Sequence, residues 1–150
     1  MEFLFKKQLY NYQLIFFLLM KDQVTTIEQS QRLLQLGIPS SKASMVWTEC
    51  SGSYHLAVRP HYKEDMECAG IAVSVPAFTV VDLLNLFKTV KGLQDFGPCL
   101  ERTTDHGDWD FEFGPITESE DYGYAHSSSL VDLLVGRIEW VLSRDYELQL

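Results

Sequence analysis

The stretch from Ser127 to Arg144 constrains the fold more than any other part of this chain. It reads Ser-Ser-Ser-Leu-Val-Asp-Leu-Leu-Val-Gly-Arg-Ile-Glu-Trp-Val-Leu-Ser-Arg. Leu130, Leu133, Leu134, Ile138 and Val141 recur at helical spacing, and Val131, Val135 and Leu142 widen the same apolar stripe. Ser129 can cap the helix, and Asp132 falls in its first turn, where a carboxylate meets the positive end of the helix dipole. So wide an apolar face must be covered, most simply by a sheet. The spacing therefore predicts a helix over 130–143 that closes the core.

Two further helices are marked at their ends. Thr25-Thr-Ile-Glu28 has the form of a capping box, with Thr25 as N-cap and Glu28 at the third helical position. That helix carries Ile27, Leu33, Leu34 and Leu36 and stops at Gly37-Ile38-Pro39. Gly37 can adopt the left-handed conformation, Ile38 can fold back on Leu33, and Pro39 blocks continuation. Thr79 caps the other helix, with Asp82 three residues on and Val80, Leu83, Leu84, Leu86 and Phe87 on its buried side.

Between the helices lie strand signals. Ala43 to Glu49 and Tyr54 to Arg59 flank Ser51-Gly52-Ser53 and predict a hairpin. Ile71 to Val75 predicts a third strand, cut off by Pro76. Cys99 to Thr104 is a fourth candidate. Trp109-Asp-Phe-Glu-Phe113 alternates cleanly, with Trp109, Phe111 and Phe113 on one face and Asp110 and Glu112 on the other. Hairpin-linked strands cannot form a wholly parallel sheet. The expected fold is α+β: a small antiparallel or mixed sheet with three helices packed mainly on one face.

Composition bounds the rest. At 150 residues with 46% hydrophobic and 13% aromatic content, the chain has the length and apolar material of one folded domain. A formal charge of -9 repels phosphates and anionic headgroups, which argues against nucleic-acid and membrane partners and leaves an unidentified protein as the partner class. Cys50, Cys68 and Cys99 are odd in number and far apart, as expected of reduced thiols in a cytoplasmic protein. The expected domain spans 20–150. Residues 1–19 form an apolar leader with three open readings: an extra packed segment, a degenerate export signal, or a leader foreign to the native protein.

Chemistry-bearing patterns are sparse. Asp105, His106, Asp108 and Asp110, with Glu112, are the candidates for a metal site, because hard carboxylate oxygens and an imidazole recur there at close spacing. Counting a calcium loop from Asp108 puts Phe113 where glycine is required, and strand spacing spreads alternate carboxylates over more than about 13 Å. A solvated acidic face is the simpler expectation, with no metal, cofactor or catalytic residue assigned. His126 beside Ser127-Ser128-Ser129 could bind an anion at a helix start, although capping explains the serines equally well. Gln29 to Leu36 and Ser40 to Trp47 can be drawn as a helix-turn-helix, whose second helix offers only Lys42 to read bases. Of the aromatic residues, Tyr122 and Tyr124 in an acidic loop are the candidate exposed interaction pair.

Leu33-Leu-Gln-Leu-Gly-Ile-Pro39 followed by Lys42-Ala-Ser-Met45, then Pro76-Ala-Phe-Thr79 with Asp82-Leu-Leu84, then Leu130-Val-Asp132 ahead of Glu139-Trp140, resembles a group of small uncharacterised bacterial proteins found around prophages and mobile elements. The resemblance covers about residues 20 to 150 and implies no activity or cofactor. The favoured reading is a non-enzymatic accessory or protein-interaction domain, encoded on a mobile element. Its rivals are a metal-dependent enzyme using the Asp105–Glu112 segment and a nucleic-acid-associated regulator.

Overall fold

A computed structural model describes residues 20–50, 52–59, 74–87, 99–103, 107–112, 125–144 and 150. The elements run α1 (Ile27–Gln35), a single 3-10 turn (Ser40–Lys42), β1 (Met45–Cys50), β2 (Ser53–Val58), β3 (Ser74–Ala77), α2 (Val80–Phe87), β4 (Cys99–Arg102), β5 (Trp109–Glu112), β6 (Ala125–Ser127) and α3 (Leu130–Ser143). The class is α+β, and every strand pairing is antiparallel. The described strands divide into two three-stranded sheets, ordered β2-β1-β3 and β4-β5-β6, and the three helices are not clearly packed on one face. The leader 1–19, the loop 61–70 and the strand positions 71–73 lie outside the described residues.

The C-terminal helix does what its stripe predicts. Val131, Leu133, Leu134, Val135, Ile138 and Val141 are all buried, and Ser129 accepts the Asp132 amide as N-cap. They join Leu83, Leu86 and Phe87 of α2, Phe111 of β5, Phe78, and Leu33 with Ile38 from the first helix and its turn. A second, smaller core lies against the first sheet: Met45 and Trp47 of β1, Leu56 of β2, and Val75 and Ala77 of β3, covered by Val24, Met20 and Ile27.

Two local expectations shift by a small step, each for a physical reason. The first capping box uses Thr26 and Gln29 instead of Thr25 and Glu28. Thr25 is otherwise engaged: its hydroxyl accepts the Phe78 amide at 2.9 Å and shares a 2.7 Å hydrogen bond with Ser30. Pro76, expected to end the third strand, lies inside β3 opposite Val46. The Arg59 amide bonds to the Ser44 carbonyl, so alternate β1 residues from Ser44 onward, Val46 among them, turn their amides toward β2. Position 76 is therefore a non-bonded one facing β1, where a missing N–H costs no ladder bond. At the other end of α1, Gly37 has φ of 91° and the Ile38 amide reaches the Leu33 carbonyl at 3.0 Å, the turn that glycine and proline foretell.

Asp82 joins two distant parts of the chain. One carboxylate oxygen accepts the Thr79 amide at 2.8 Å and the Ser44 amide at 2.9 Å, and the other accepts the Ser44 hydroxyl. The Asp82 amide in turn donates to the Thr79 hydroxyl. A buried carboxylate with three donors is satisfied, so it stabilises the start of α2 and the approach to β1 together.

Candidate functional site

Asp110 lies on the outer face of β5 and Asp108 two residues earlier, just ahead of the strand, while Phe111 is buried in the core. Opposite Asp110, β6 presents His126. Its Nδ1 lies 2.6 Å from Asp110 Oδ1 and its Nε2 lies 3.0 Å from Asp108 Oδ2. The imidazole thus bridges two carboxylates across the strand pair. The hydrogen bond to Asp110 raises the His126 pKa above its ordinary 6.5. Partial loss of water opposes this, and the Asp108 hydrogen bond and both negative charges reinforce it.

That geometry limits the chemistry. With both ring nitrogens aimed at carboxylate oxygens, the surroundings shift the ring toward its protonated form. While protonated, the ring has no lone pair for a metal and cannot accept a proton. The two carboxylates and the ring also fail to converge on a common point, since each nitrogen is occupied by its own aspartate. Among the described residues, no group of three or more His, Cys, Asp or Glu side chains has the arrangement of metal ligands. Asp105 and His106, the other candidates of this segment, lie outside the described residues, as do Tyr122 and Tyr124. Glu112 is exposed at the far end of β5, opposite Cys99.

The helix-turn-helix drawn from the sequence does not form. Ser40–Lys42 is one 3-10 turn, and Met45 to Trp47 belong to β1, so Lys42 has no recognition helix to stand on. Tertiary pairing decides this, because Val46 and Trp47 are buried in a central strand. Lys42 instead borders an open cleft of about 310 Å³ lined by Ser41, Asp82, Asn85 and Leu86. Asp82 spends its carboxylate on Ser44 and Thr79, which leaves Lys42 as the cleft's one free charge among these lining residues.

A third feature is the outer edge of β2. The bond from the Arg59 amide to the Ser44 carbonyl makes Ala57, His55 and Ser53 the positions bonded to β1. The amides and carbonyls of Tyr54, Leu56 and Val58 therefore point away from β1, and no described residue pairs with them. The side chains of the same three residues share one face. Leu56 is buried against Trp47, while Tyr54 is 42% and Val58 68% exposed. Neither the exposure of Val58 nor the free edge among the described residues could be seen in the sequence. Comparison with protein-family models, with curated proteins and with solved structures gives no match.

Proposed function

We propose that this chain is a non-enzymatic accessory domain that works by binding protein, and that it is encoded on a mobile element. One observation carries the reading: among the described residues nothing pairs with the outer edge of β2, where three amides and three carbonyls lie beside two exposed apolar side chains. An extended strand can add to such an edge, with the backbone supplying affinity and alternate side chains supplying selectivity. Natural edges are usually blunted by lysine, proline, a bulge or an inward charge, and Ser-Tyr-His-Leu-Ala-Val has none of these. The enzyme reading draws less support, because the His126 cluster is arranged to hold an imidazolium. Among the described residues no helix is long and apolar enough to cross a membrane.

The test is site-specific cross-linking in cells of the source organism. A photoreactive phenylalanine analogue replaces Val58 in one variant and Val81, an exposed apolar residue of α2, in another. Protein adducts from position 58, absent from position 81 and lost on adding Tyr54→Lys, are expected. Equal labelling from both positions would overturn the reading. Neighbouring genes of phage or transposon type would support the mobile-element part.

A further inference from the structure

The β2 edge has a symmetry that points to a particular occupant. Its three outward-facing residues are Tyr54, Leu56 and Val58, and the two exposed apolar side chains sit equally far from Leu56 on one face of the sheet. We propose that β2 pairs antiparallel with β2 of a second copy, about a two-fold axis passing beside Leu56. The proposal rests on the protein-binding reading above and names the partner.

The register follows from the hydrogen-bond pattern. A two-fold beside Leu56 sets Leu56 opposite Leu56 of the second copy as a bonded pair, in which each residue exchanges N–H and C=O. The same operation sets Tyr54 opposite Val58 of the second copy, and Val58 opposite its Tyr54. The side chains left exposed in one copy thus become cross-strand partners, an aromatic against a β-branched residue, which is a favourable pairing on a sheet. A patch that complements itself under a two-fold is the requirement for a closed dimer.

Charge permits the approach. The chain as a whole carries -9, so most surfaces of two copies repel. Ser53–Val58 contains no carboxylate and is followed by Arg59, so in this register no like charges face each other across the seam. Arg59 falls opposite Ser53, and His55 opposite Ala57. The product is one continuous six-stranded antiparallel sheet, β3-β1-β2-β2-β1-β3, in which neither β2 remains an edge.

Sedimentation velocity on the purified full chain, from low micromolar to a few hundred micromolar, tests association. The expected result is a concentration-dependent dimer that Tyr54→Lys with Val58→Lys converts to monomer without loss of the circular dichroism spectrum. Register is tested by oxidation. His55 and Ala57 face each other across the seam as a non-bonded pair, with Cα atoms about 4.5 Å apart. That lies within the range of roughly 4.4–6.8 Å that a disulfide spans. Oxidising a mixture of the His55→Cys and Ala57→Cys proteins should give a covalent dimer in much higher yield than oxidising either protein alone, which also controls for the native thiols. A dimer with no mixture-specific cross-link would overturn this interface. A parent protein that stays monomeric throughout would overturn the self-pairing. In that case an adduct of foreign mass at position 58 in cells would still uphold the protein-binding reading, and the absence of any adduct would remove both.

Discussion

The two edges of the β2-β1-β3 sheet are finished in opposite ways. On the β3 side, just past the end of that strand, the segment Gln23–Thr25 runs antiparallel to Phe78–Val80. The Thr25 amide bonds to the Phe78 carbonyl at 2.9 Å and the Val80 amide to the Gln23 carbonyl at 3.0 Å. The Thr25 hydroxyl takes the Phe78 amide, and the Thr25 carbonyl accepts the buried Trp47 indole N–H at 2.8 Å. On the β2 side nothing described takes the corresponding groups. An edge laced by buried hydrogen bonds contributes to stability. An edge left bare contributes little to the folded monomer and is available for pairing, so the two should respond differently to substitution.

The largest effect belongs to neither edge and sets the scale for both. Leu134 is fully buried in the main core, and Leu134→Ala should cost about 2–5 kcal/mol. A thermal melt unchanged from the parent would mean that α3 does not close that core. Next comes the laced edge. Thr25→Val keeps the shape but strips the acceptor from the buried Phe78 amide, at an expected cost of about 1–3 kcal/mol. Denaturant titration gives the cost, and faster hydrogen exchange at Phe78 would localise it. If exchange there does not change, the edge is held by other means.

The second sheet joins its outer strand by charge, which makes it a useful contrast. His126 has a raised folded pKa, so its contribution is fully present below the unfolded value of 6.5 and is lost as pH rises through the folded one. Protection factors at β5 and β6, which remove the intrinsic rise of exchange with pH, should fall across that window in the parent and not in His126→Asn. Added salt should weaken the effect, because the ring is exposed. A parent profile identical to that of the variant would show that the bridge does not hold the strands.

At the bare edge, Val58→Lys should change monomer stability by less than about 0.5 kcal/mol while abolishing self-association. A large destabilisation would place Val58 in the core and dissolve the contrast between the edges. The smallest expected effect is that of divalent metals, whose addition should leave the melting temperature in place. A site saturated a hundredfold above its dissociation constant would instead add about 2.7 kcal/mol.

What the sequence made legible was local. Ser129, Gly37 and the stripe of α3 act within a few residues of themselves, so pattern suffices to read them. Thr25 and Thr26 show the limit: either fits a capping box, and the choice turns on Phe78, more than fifty residues away. Pro76 reads as a strand breaker until the facing of Val46 shows that its missing N–H has no partner to lose. The split into two sheets was invisible for the same reason, since pairing partners are chosen by the whole chain. At the candidate site the placing of Asp108 and Asp110 on one face, away from Phe111, could be read from alternation. Their partner could not, because His126 lies 16 and 18 residues further on, where nothing in the residues between announces the register.

One contact has a consequence for synthesis. The Gln29 side-chain amide, which also completes the cap of α1, donates to Asp132 in the first turn of α3 at 2.6 Å across a separation of 103 residues. At roughly 5–20 residues per second, a ribosome needs about 5–20 s between making the two. For all of that time α1 has its own cap but no counterpart to clasp. Its Leu33 also waits, since α3 supplies six of the thirteen other buried residues of that core. A chain of this design can assemble its main core only after α3 has been made.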